Sequence, residues 1–175
     1  MIKEIVESDV KELAIDLEHH NIRSYQGFTC LMQMSTRSKD YIIDTLQLRH
    51  KLQDLNELFT NPKIVKVLHG ANMDIEWLQK DFGLYIVNLF DTGQAARYLK
   101  FPSAGLAYLL KEFCGVNANK QYQTADWRQR PLPKEMIKYA REDTHYLLFC
   151  YDKVRESIVQ FAKDNDMDPK ACMLE

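Results

Sequence analysis

The chain has no apolar run near the ~20 residues that a membrane-spanning helix requires, and its amino terminus lacks the pattern of a secretion signal. It has no C-x-x-C pair. Its four cysteines, Cys30, Cys114, Cys150 and Cys172, are too scattered for a zinc site, and the expectation is reduced thiols in an intracellular compartment. Cys30, Cys114 and Cys150 lie in apolar stretches, which predicts core positions. Internal repeats, low-complexity tracts and a second domain are absent as well. There is also no excess of positive charge: 23 Lys and Arg against 25 Asp and Glu leave a net charge of −2. That excludes a globally basic nucleic-acid binder. It does not exclude a nucleic-acid partner, because a metal–carboxylate site is itself acidic and a local basic patch can hold phosphates.

What is present is an ordinary globular composition. At 175 residues, 46% hydrophobic and 27% charged, the chain suits one domain with a proper core. The domain is read over residues 1–175, with a polar, acidic tail from about residue 164. Ile2, Ile5 and Val6 share one helical face. Strands are predicted over residues 12–18, 27–36 and 41–45, the last two joined as a hairpin by the polar turn "RSKD". Leu48, Leu52, Leu55 and Leu58 predict a helix over 46–59, broken at Asn61-Pro62. A strand over 64–70, a helix over 73–82 closed by Gly83, a strand over 85–90 and a helix capped by Asp91-Thr92 follow. Further helices are predicted over 106–114 and, entered through Pro133, over 134–163. Strand–helix–strand–helix order implies a parallel pair after an antiparallel meander. The fold class is α/β: a mixed five-stranded sheet, three antiparallel strands and then two parallel ones, flanked by helices.

The chemistry starts at "LAIDLEHH". Side chains alternate along a strand, so Asp16 and Glu18 project from one face. Two carboxylates side by side repel unless a cation lies between them, and magnesium or manganese favours such an all-oxygen site. A solvated acidic turn is the bland alternative. Asp74 follows the strand "IVKVLHG" at a helix start, and sites gather at the carboxyl ends of parallel strands. Tyr139 and Asp143, four residues apart on the last long helix, share one helical face. Four carboxylates can hold two divalent ions ~3.5–4 Å apart around an in-line phosphodiester hydrolysis, with a phenol to orient the attacking water.

The order D-x-E, then an aspartate, then Y-x-x-x-D resembles the DEDD exonuclease superfamily in its tyrosine branch. The strings "IDLEHHNIRSYQGFTCLMQMST", "VLHGANMDIEWLQKDFGLYIVNLFDTGQAAR", "NKQYQTADWRQRPLP" and "YAREDTHYLLFCYDKVR" resemble the nuclear exosome-associated exoribonucleases within it. The resemblance implies an RNase H-like form of the sheet, two magnesium or manganese ions, and hydrolysis of single-stranded RNA from its 3′ end to 5′-mononucleotides. It implies Asp16, Glu18, Asp74 and Asp143 as metal ligands and Tyr139 as the water-orienting residue. It further implies that His19, Met73, Trp77, Lys120 and Gln123 contact the terminal nucleotide. His20 and His69 are read as structural. A nuclear location and exosome or other RNA-processing partners come from the resemblance alone, as does the expectation of a nuclease domain without a helical HRDC domain. A DNA exonuclease and a non-catalytic RNA- or protein-binding module are the alternatives. From Lys120 to Arg141 six basic residues outnumber two acidic ones, a local +4 that suggests an entry groove tracking the phosphate backbone.

Overall fold

The computed structural model describes residues 1–22, 24–119 and 121–172. Helix α1 (Ile2–Glu7) leads into β1 (Glu12–His20), β2 (Phe28–Ser35) and β3 (Asp40–Asp44). A helical stretch of α2 (Thr45–Leu48), a 3₁₀ segment (Arg49–Leu55) and α3 (Asn56–Phe59) carries the chain to β4 (Val65–Leu68). Then follow α4 (Asn72–Phe82), β5 (Leu89–Asp91), α5 (Thr92–Tyr98), α6 (Leu106–Cys114), α7 (Lys134–His145), α8 (Leu147–Asp164) and α9 (Pro169–Cys172). The sheet order is β3-β2-β1-β4-β5. β1, β2 and β3 pair antiparallel, whereas β1–β4 and β4–β5 pair parallel, as the sequence pattern implies.

β1 is the central strand and is covered on both faces. Its odd residues Leu13, Ile15 and Leu17 enter a core with Met32, Leu55, Phe59 and Leu78. Each such side chain, fully buried, contributes ~2 kcal/mol. The even residues face the other way: Ala14 packs with Val67, Leu147, Leu148 and Tyr151 beneath α8. Asp16 and Glu18 continue that even row, and strand periodicity therefore turns both toward α7 and α8. No described helix is long and apolar enough to cross a membrane.

Several boundaries differ from the sequence reading, each for a packing reason. The predicted helix over 46–59 is 3₁₀ in its middle, where Leu52 and Leu55 are buried at a three-residue spacing that suits three residues per turn and that Leu58 continues into α3. Residues 85–88 are not strand. Their amides bond to Asn56 and Phe59 instead of β4, and Asn88 adopts φ +62°. The predicted helix over 134–163 is two helices, bent at Tyr146 (φ −95°, ψ −8°). One straight helix of that length would run ~45 Å; the bend lets α7 cover β1–β3 while α8 covers β1 and β4. The tail is not wholly solvated, because α9 buries Cys172 against α8. Cys30 and Cys150 are buried, Cys114 is partly so, and all four thiols are free.

Candidate active site

The site forms where β1 outruns its parallel neighbour. Pairing with β4 ends at Ala14–Val67, and β4 itself ends at Leu68 before turning into α4. Asp16 and Glu18 thus stand on a length of β1 bonded only to β2, opposite Gln33 and Leu31. α7 crosses this open face and presents Tyr139 and Asp143. Asp16, Glu18 and Asp143 each offer a carboxylate oxygen, all within 4.8 Å of one another. Asp74, the third residue of α4 and 92% buried, lies outside that triad, yet its charge acts on both Asp16 and Glu18.

The electrostatics are those of repelling acids. Burial first, then the charges of Asp143, Glu18 and Asp74, push Asp16 well above the usual carboxylate range. Burial and Asp143 push Glu18 up to about 9, although Gln33 Nε2 donates to its Oε1 at 3.2 Å. Asp74 and Asp143 are each raised to about 7, mainly by burial, with Asp91 and Glu142 adding respectively. Among the described residues no Lys or Arg is ion-paired with any of the four. A hard divalent cation fits this all-oxygen donor set and would offset the repulsion. Tyr139 is raised by burial and then by Asp143, Glu18 and Asp16, so its phenol keeps its proton. Its ring sits 5.8 Å from that of Tyr122 and 5.9 Å from that of the buried Trp127.

A cleft of about 800 Å³ adjoins the carboxylates and is lined in part by His19, Trp77, Gln123 and Tyr139. His19 and Trp77 stack flat, ring centroids 4.0 Å apart and 9° from parallel. Met73 is half exposed on α4, and Lys120 lies outside the described residues. His20 is buried against Phe28, and His69 Nδ1 lies 2.9 Å from the Thr92 hydroxyl, but both also line the cleft. Asn21, Asn119, Thr124 and Leu106 line it too. Nothing in their types or spacing distinguishes them from ordinary loop and helix-start residues.

Residues 1–158 match the model of the 3′–5′ exonuclease family. The chain belongs to that family. Human exosome complex component 10 is 62% identical over 159 residues, which cover 88% of this chain and 18% of that protein. The chain thus spans about a fifth of the length of the curated relatives it matches. Among solved structures, the catalytic core of RRP6 from Trypanosoma brucei superposes with a TM-score of 0.84 at 54% identity, covering 87% of this chain and 43% of that one. RNase D of Escherichia coli, described as an exoribonuclease involved in structured RNA processing, superposes at 0.81 with 28% identity, covering 88% and 42%.

The basic stretch beside this carboxylate cluster is not the free patch that its composition suggests. Arg128 is paired with Asp126 (2.7 Å), Arg130 with Asp44 (2.6 Å) and Arg141 with Asp40 (2.6 Å). Arg130 also donates to the carbonyls of Cys30, Trp127 and Gln129 and locks the loop before α7 onto β2. Composition counts only the acids within the segment, whereas Asp40 and Asp44 arrive from β3.

Gly27 closes the far side of His19. At φ +62°, an added Cβ would lie 2.0 Å from His19 Cε1 and 2.8 Å from the His20 carbonyl. Gly115, at φ +67°, has nothing within 4 Å of that position. Gly115→Ala is therefore expected to cost only the backbone strain, about 1 kcal/mol. Gly27→Ala should cost roughly 3 kcal/mol, because the clash adds to the strain. Urea unfolding of both variants checks this; equal losses would mean that the His19 ring and the His20 carbonyl both give way without cost.

Proposed function

We propose that this chain is the catalytic domain of a metal-dependent 3′–5′ exoribonuclease that shortens single-stranded RNA from its 3′ end and releases 5′-mononucleotides. The observation that carries the reading is the clustering of Asp16, Glu18 and Asp143 within 4.8 Å, on a chain of the 3′–5′ exonuclease family, with Tyr139 one helical turn from Asp143. Asp16, Glu18 and Asp143 would hold one divalent ion, Mg²⁺ or Mn²⁺, and Asp16 with Asp74 a second. Bound there, the ions supply an activated water and neutralise charge developing on the phosphate.

The protein's own residues supply orientation. The protonated Tyr139 hydroxyl stands beside the carboxylate cluster, where it can orient a water for in-line attack. The flat His19–Trp77 pair, with Met73 and Gln123, offers apolar and hydrogen-bonding contacts to the terminal nucleotide, and the family resemblance alone assigns Lys120 a phosphate contact. Stacking tolerates any base, as an enzyme that trims a strand from its end requires. The names of the relatives support association with the exosome and, with it, a nuclear location.

The test uses 5′-labelled single-stranded RNA, with Mg²⁺ or Mn²⁺, beside a matched DNA oligomer and the Asp16→Asn variant. Progressive shortening from the 3′ end, dependent on the metal and lost in the variant, is expected. No shortening by the parent, or equal shortening by the variant, would sink the reading. Preference for the DNA would reassign the substrate, since discrimination rests on the 2′-hydroxyl.

A further inference from the structure

The four acids are held by different elements, and one of them has an unusual support. Asp16 and Glu18 are fixed by the sheet and Asp143 by a twelve-residue helix. Asp74 sits in the first turn of α4, so its position depends on how that helix is entered. Ala71, the residue at the entry, has no side-chain oxygen with which to cap the first amides.

That role is taken by Asp91, at the end of the neighbouring strand β5. Its Oδ2 accepts from the Ala71 amide at 2.8 Å, and its Oδ1 from the Gly70 amide at 2.9 Å. The same Oδ1 caps α5 by accepting from Gly93 (2.8 Å) and Gln94 (3.1 Å). One carboxylate therefore joins the entry of α4 to the start of α5. The two turns are in close contact, since a Cβ on Gly93 would lie 3.1 Å from Asp91 Oδ1 and 3.3 Å from the Gly70 amide. Thr92 adds a tie by donating to the Leu68 carbonyl at 3.1 Å. The bonds from Gly70 and Ala71 fix the backbone four and three residues before Asp74.

We propose that Asp91 is a positioning residue that holds Asp74 at the distance the weaker of two divalent ions requires. The inference rests on the proposed metal-dependent activity. Asp91 is not part of the triad of Asp16, Glu18 and Asp143; beyond its like charge on Asp74 it reaches the site through the α4 entry. Its acceptor geometry makes the claim separable from a general structural role. In Asp91→Asn the retained oxygen can still cap α5, for which asparagine is as good as aspartate. The new amide group, however, meets the Ala71 N–H donor to donor, so the bond that holds the first amide of the α4 entry is lost and only that from Gly70 to Oδ1 remains. Asp91→Ser likewise caps α5 but is too short to reach the α4 entry.

The experiment is calorimetric titration of the full chain with Mn²⁺, for the parent, Asp91→Asn, Asp74→Asn and the double variant, with urea unfolding as a check on folding. Asp91→Asn is expected to weaken the weaker Mn²⁺ step by about 10-fold, the scale seen when a support behind a metal ligand is removed. The tighter step should stay within about 2-fold, because its ligands lie on other elements. In the Asp74→Asn background the same change should have no further effect, since its effect is transmitted only through Asp74. Equal weakening of both steps would overturn the inference. So would weakening that persists without Asp74, which would mark a long-range charge effect. A parent that takes up no Mn²⁺ would overturn the metal-site reading and this inference with it. If Asp91→Asn does not fold, Asp91→Ser carries the same expectations.

Discussion

Replacing Asp16 by asparagine is expected to abolish hydrolysis and, in the absence of metal, to make the protein more stable. The two effects have one cause. Asp16 is the carboxylate on which Glu18, Asp143 and Asp74 all act, and the one placed to serve both proposed ions. Without its charge the divalent ions lose their shared ligand, and the rate should fall by about 10³-fold or more, equivalent to ~4 kcal/mol of transition-state stabilisation. In a chelator, however, the same carboxyl is half-buried among like charges with no described cation beside it. Asparagine keeps its shape and removes that repulsion, a gain of roughly 2 kcal/mol. Urea unfolding at pH 8 in chelator, read beside the labelled-RNA assay, checks both halves. An inactive variant that is also less stable would mean that the parent compensates the charge by some other contact.

The second large effect is a stability profile that metal reverses. Glu18 is raised to about 9, Asp74 and Asp143 to about 7, and Asp16 is held well above its ordinary value, first by burial. A carboxyl whose pKa is higher folded than unfolded binds more protons in the folded state between the two values. Its protonated form is the one that the fold accommodates, so stability falls as pH rises from about 4.5, where the unfolded chain ionises, to about 9. Each such group contributes a slope of up to ~1.4 kcal/mol per pH unit within its window. Asp40 and Asp44, lowered overall by hydrogen bonds that outweigh burial, act in the opposite sense and only in acid. Saturating Mn²⁺ binds the ionised forms and should flatten or invert the slope. Urea midpoints at pH 5, 6.5 and 8, with chelator and with Mn²⁺, test this; a chelated protein as stable at pH 8 as at pH 5 would refute it.

Much of the site's layout could be read from local pattern, because the relevant periodicities are short. The even positions of β1 put Asp16 and Glu18 on one face, and the four-residue spacing put Tyr139 beside Asp143 on α7. The boundaries were less legible. The bend at Tyr146 has no proline or glycine to announce it, since it arises from the width of the sheet that two helices must share. Residues 85–87 are aromatic and β-branched like a strand, but the amides of Tyr85 and Val87 find their partners on α3. The segment from Lys120 to Arg141 reads as a free basic groove because the acidic partners of Arg130 and Arg141 lie 86 and 101 residues earlier in the chain.

The sequence by itself determined which side chains could do the chemistry and on which faces of their elements they lie, since a strand's two-residue repeat and a helix's turn are properties of the backbone. Only the tertiary structure decided that β1 outruns β4, that three of the four acids meet within 4.8 Å while Asp74 stands apart, and that Asp91 supports the helix that carries it. Those facts depend on register, strand order and the crossing of α7 over the sheet. Each is fixed by long-range burial and hydrogen bonding between segments whose separation along the chain no local pattern records.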